Sequence, residues 1–97
     1  MRALQAKHKQ VSTTVLNMDD FGFDEEPRNS AVRAIITSSA NNAMCIWTKD
    51  DNPTATLGHP VVANGEPLIV RDRWNISHIK LVRQGSSDAE VTITLEN

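Results

Sequence analysis

The sequence predicts an all-β fold: a small β-sandwich, jelly-roll or Ig-like, of six to seven short antiparallel strands with an extended N-terminal arm. Three observations lead there. Short segments rich in β-branched residues recur at regular spacing, turn residues separate them, and no segment carries the 3.6-residue period of an amphipathic helix. At 97 residues there is room for one hydrophobic core, because a chain this short buries only about two-thirds of its unfolded surface. A hydrophobic fraction of 39% makes that core modest, so partner subunits are expected to complete it.

Taken in order, residues 1–30 read as an arm, an edge strand and an acidic loop, and residues 31–97 as the sandwich core. Met1 to Lys9 is polar and basic, a peripheral arm or short helix. Gln10 to Asn17 is rich in Val and Thr and predicts an edge strand. Asp19 to Pro27 crowds five carboxylates with Phe21, Phe23, Gly22 and a proline, which breaks any regular period and reads as a loop. Ala31 to Thr37 alternates so that Val32, Ala34 and Ile36 share a face. A turn over Ser38–Asn42 leads to Ala43–Lys49 as the hairpin partner, with Met44 and Ile46 on one side and Cys45 and Trp47 on the other.

Asp50 to Pro60 is a loop longer than a hairpin requires, and loops of that length usually serve a purpose. Val61-Val62 and the Asn64-Gly65 turn precede a strand over Pro67–Arg71, whose opening proline suits a first strand position. Ile76–Arg83 and Ala89–Glu96 then form the clearest pair, a hairpin in which Val91, Ile93 and Leu95 make one buried face.

Chemistry-bearing residues are few and scattered. His8, His59 and His78 lack the close spacing of zinc ligands, and the acidic segment lacks the alternating pattern of a calcium loop, so no metal and no cofactor is expected. Cys45 sits between apolar neighbours, where a thiol behaves as a small hydrophobe. Asp50, Asp51 and Asp72 invite comparison with paired catalytic carboxylates, yet nothing in the sequence fixes their separation, and turn-initiating Asp is much commoner. Asn75-Ile76-Ser77 matches a glycosylation sequon by coincidence. Trp47 and Trp74 read as core or interface anchors. No enzymatic activity is expected.

The formal charge of −2 gives no field to gather phosphates, so nucleic acid is not expected as a partner. No stretch approaches the ~20 apolar residues that cross a bilayer, so no membrane partner is expected. A lone cysteine and the lack of a signal-type apolar run predict synthesis in a reducing cytoplasm.

The segments Ile46-Trp47-Thr48-Lys49-Asp50-Asp51-Asn52-Pro53-Thr54-Ala55-Thr56-Leu57-Gly58-His59 and Arg83-Gln84-Gly85-Ser86-Ser87-Asp88-Ala89-Glu90-Val91-Thr92-Ile93 resemble small structural proteins encoded in tailed-phage morphogenesis clusters. The resemblance spans roughly Ala31 to Leu95 and rests on turn motifs. It implies a β-sandwich virion component of the capsid cement or decoration type, bound to the major capsid protein and self-associated, with a trimer favoured. A head-to-tail connector, a tail accessory subunit and a carbohydrate or host-surface module are the rivals. The charged N-terminal third has no counterpart in the motif. Its composition predicts the docking surface: Leu4, Lys7 and Lys9 in the arm, and Asp19, Asp20, Phe21, Phe23, Glu25 and Glu26 in the acidic segment. On that basis, removing residues 1–10 would leave the fold intact and weaken assembly, and replacing both phenylalanines by alanine would leave a folded protein that no longer binds.

Overall fold

In a computed structural model, which describes residues 2–97, the chain crosses repeatedly between two sheets as it proceeds. In chain order the elements are β1 (Ala3–Val11), β2 (Leu16–Asn17), α1 (Met18–Phe21), α2 (Glu25–Ser30), β3 (Arg33–Ala40) and β4 (Ala43–Ile46). They continue with β5 (His59–Val61), β6 (Leu68–Arg71), α3 (Arg73–Ser77), β7 (Lys80–Arg83) and β8 (Ala89–Glu96). Two four-stranded sheets result, one ordered β1-β8-β3-β6 and the other β2-β7-β4-β5, with every ladder antiparallel.

Alternation in the last strand works as its sequence predicts. Ala89, Val91, Ile93 and Leu95 are fully buried while the residues between them are partly exposed. In β3, Ala34, Ile36 and Ser38 face the core; Val32, expected with them, precedes the strand and is 40% exposed. Ile79, Leu81, Val61, Val70 and Cys45 complete the apolar interior.

Both expected hairpins are corrected. β3 pairs with β8 and β6, whereas β4 pairs with β7 and β5, so the Ser38–Asn42 turn carries the chain from one sheet to the other. The buried Ser38 hydroxyl donates to the carbonyls of Ala40 and Asn41, and Asn41 takes a left-handed φ of 62°. β7 and β8 likewise lie in different sheets, and Ile76-Ser77, expected in the strand, belong to α3. Each of these strands turns an apolar set toward the space between the sheets: Ala34 and Ile36 in β3, Cys45 in β4, Leu81 in β7, and Val91, Ile93 and Leu95 in β8. Placing successive strands in opposite sheets brings those sets together, which a single meander cannot do.

The N-terminal arm is corrected too. β1 runs antiparallel to β8 from Ala3 to Val11, with Val11 opposite Ala89 and both wholly buried. Residues 2–11 are therefore an integral edge of the same body as residues 31–97. Met1 lies outside the described residues. The single strand expected over Gln10–Asn17 is instead split between β1 and the two-residue β2, in opposite sheets.

The long loop after β4 has a structural task. Met44, Ile46 and Val82 are buried although they point away from the core side of their sheet, opposite Cys45 and Leu81. Lys80, the cross-strand neighbour of Ile46, donates from its ammonium to the carbonyls of Lys49 (3.1 Å) and Asp51 (2.7 Å). Those bonds hold the loop over the outer face, and Pro53 within it is buried.

Candidate functional site

The acidic segment folds into two short helices where the sequence predicts a loop. Asn17 caps α1: its side chain accepts from the Asp20 amide, and Asp20 accepts from the Asn17 amide in return. Gly22, at φ 75°, ends the helix in the left-handed conformation. The signal for this is Asn17-x-x-Asp20 followed by Gly22. A helix of four residues is too short to show a period.

Capping turns the phenylalanines inward. Phe21 is 5% and Phe23 8% exposed, their rings stacked with centroids 6.4 Å apart, and both belong to the core cluster. They are not surface anchors. Leu4 is half-buried against the same cluster. The carboxylates are mostly committed as well: Asp19 pairs with Arg28, Asp20 caps α1, and Asp24 is clamped by Gln5. In that clamp the Gln5 side chain donates to the Asp24 carboxylate (3.0 Å) and accepts from the Asp24 amide (2.9 Å). The basic arm and the acidic segment are thus tied into one surface, where composition predicts two independent docking elements.

Glu25 and Glu26 stay exposed, with no ion pair among the described residues. Lys7 and Lys9 lie opposite Ile93 and Val91, so they project toward the inter-sheet side at the open edge of β1. There the facing sheet offers only the two residues of β2. Inward-pointing charge of this kind protects an edge strand against indiscriminate pairing.

The remaining candidates resolve into structural roles. Cys45 is fully buried, and burial pushes its thiol from 9.0 up to about 12, which removes it as a nucleophile near neutral pH. Asp51 closes a turn with Thr48, and Asp72 caps α3 by accepting from the Trp74 amide. The Asn75 side chain donates to the Arg71 carbonyl within its own turn. His8 bridges Thr92 and Glu90 on β8, and His59 stacks on Trp47. Among the described residues no group of three His, Cys, Asp or Glu side chains is placed to hold a metal ion.

The two tryptophans part company. Trp47 packs against the core, whereas Trp74 is 53% exposed on α3. It lines a surface groove of about 750 Å³ between α2 and α3, together with Glu25, Arg28, Asn29, Asp72 and Arg73. The two halves of this groove lie far apart in the sequence, and no local pattern joins them. Comparison with protein-family models, curated proteins and solved structures finds no match to this chain.

Proposed function

We propose that this chain is a virion structural protein of a tailed phage, a cement or decoration subunit that binds the lattice of the major capsid protein as a homo-oligomer, preferably a trimer. The supporting observation is strand order. Sheets ordered β1-β8-β3-β6 and β2-β7-β4-β5, filled almost alternately along the chain, suit the connectivity of a jelly roll. That architecture recurs in viral shell proteins, and also in lectins and cupins. Fold alone does not select among these. The turn residues around Pro53–Gly58 and Gly85–Ala89, which resemble phage morphogenesis proteins, favour the virion role over the others.

In this role the protein contributes surface and stability and performs no reaction. Lys7 and Lys9 on the β1 edge, with the exposed Glu25 and Glu26, serve as rim charges that set orientation and on-rate more than affinity. The test is addition of the purified chain to phage heads that lack it, followed by counting copies per particle and measuring the heat resistance of the heads. Lattice-wide occupancy with raised heat resistance is the expected result. A single ring at one vertex would instead identify a connector, and failure to bind would reject the virion role.

A further inference from the structure

We propose that the groove between α2 and α3 binds a neutral saccharide, with Trp74 as the stacking platform. Trp74 is the most exposed large hydrophobic side chain among the described residues. Nothing in the packing of the fold requires it there, since the core cluster closes without it. Its indole is nonetheless held in place. His78 stacks on it with ring centroids 3.9 Å apart and an interplanar angle of 23°. His78 Nδ1 in turn lies 2.7 Å from the Trp74 carbonyl, to which it donates, and 3.0 Å from the Ser77 hydroxyl. A ring fixed before the ligand arrives loses little rotamer freedom on binding.

The polar groups around the indole select the ligand class. Of the charged groups lining it, Arg28 is already paired with Asp19 and Asp72 accepts from the Trp74 amide, which leaves Arg73 and Glu25 as one charge of each sign without an ion pair among the described residues, and Asn29 adds an amide that both donates and accepts. A charged ligand of either sign would therefore meet a like charge as well as an opposite one. A sugar ring answers both features: its C–H face lies on the aromatic surface, while its hydroxyls donate to carboxylates and accept from Arg and Asn. Asp72 adds an independent sign. It holds φ 79°, ψ 131°, a backbone conformation that non-glycine residues rarely adopt and that concentrates at ligand sites. The proposal does not depend on a virion role.

The experiment titrates the full chain with neutral oligosaccharides built on glucose, galactose, mannose or N-acetylglucosamine, and with sulfated and sialylated glycans, and follows the two indole N–H resonances by heteronuclear NMR. Saturable movement of the Trp74 resonance with at least one series, insensitive to added salt, is expected. Trp74→Ala should weaken that binding by about tenfold or more. Trp74→Phe, which keeps a ring, should restore part of it in a protein whose other resonances are unmoved. Binding restricted to sulfated or sialylated glycans would overturn the neutral assignment. So would an unaltered affinity in both variants, or no response of the Trp74 resonance to any sugar.

Discussion

Replacing Phe21 by alanine measures how firmly the acidic segment is built into the fold. The ring is 5% exposed, stacks on Phe23 at 6.4 Å, and shares the core cluster with Met18 from the same helix. Truncation removes the transfer energy of a buried benzyl group and leaves a cavity, which together cost about 3–5 kcal/mol. A domain of this size is stable by roughly 5–15 kcal/mol, so the single change takes a large share of the total. At about 4–8 °C per kcal/mol, the melting temperature should fall by ~12 °C or more. Urea unfolding followed by Trp fluorescence and circular dichroism gives the loss directly, with an unchanged m-value showing that the transition remains two-state. Phe23→Ala should cost a similar amount, and the double variant less than the sum, since both rings border one space. A loss below about 1 kcal/mol for Phe21→Ala would refute the argument. The rings would then be exposed anchors, as the charge density around them predicts.

Three further outcomes are expected. Cys45 should stay unreactive toward a thiol reagent in the folded protein and react fully in denaturant; because its folded pKa is raised from 9.0 to about 12, stability should fall as pH rises from 9 toward 12, where only the unfolded thiol ionises. Gly58→Ala should destabilise by more than about 1 kcal/mol, because Gly58 holds φ 136° and an added Cβ would sit 3.0 Å from the Cys45 carbonyl oxygen, whereas Gly85→Ala, with nothing within 4 Å, should be near neutral in thermal melts. Deleting residues 2–10 should unfold or aggregate the protein, as size-exclusion chromatography will show, because it bares the β8 edge; a folded monomer would return β1 to the role of a dispensable arm.

Burial and pairing were not equally legible in the sequence. Val91, Ile93 and Leu95 announce their buried face through a period of two, which depends only on strand geometry. Their partners depend on which strand the turn delivers next. Gln84–Asp88 makes a good tight turn in either topology, so nothing local distinguishes a hairpin from a crossing between sheets. β1 was hidden for a different reason: its core-side positions include Gln5, Lys7 and Lys9, the polarity of an edge strand, and a search for alternating hydrophobics passes over it. In the acidic segment the five carboxylates masked a capping box, and the local excess of charge said nothing about where capped helices would turn Phe21 and Phe23.

The groove beside Trp74 owes its existence to the alternation of strands between sheets. β6 enters α3 at the edge of one sheet, and α3 leads into β7 of the other, so the helix bridges the open end between layers. α2 makes the same passage from the β2 sheet to β3. Two helices that each span the gap between the same layers are brought side by side, with Arg28 from one and Arg73 from the other lining a common cleft. A meander of local hairpins would have left these crossings as tight turns. The groove is therefore a product of topology, and the residues that line it acquire a shared function only after the long-range pairs, β1 with β8 and β3 with β6, have closed.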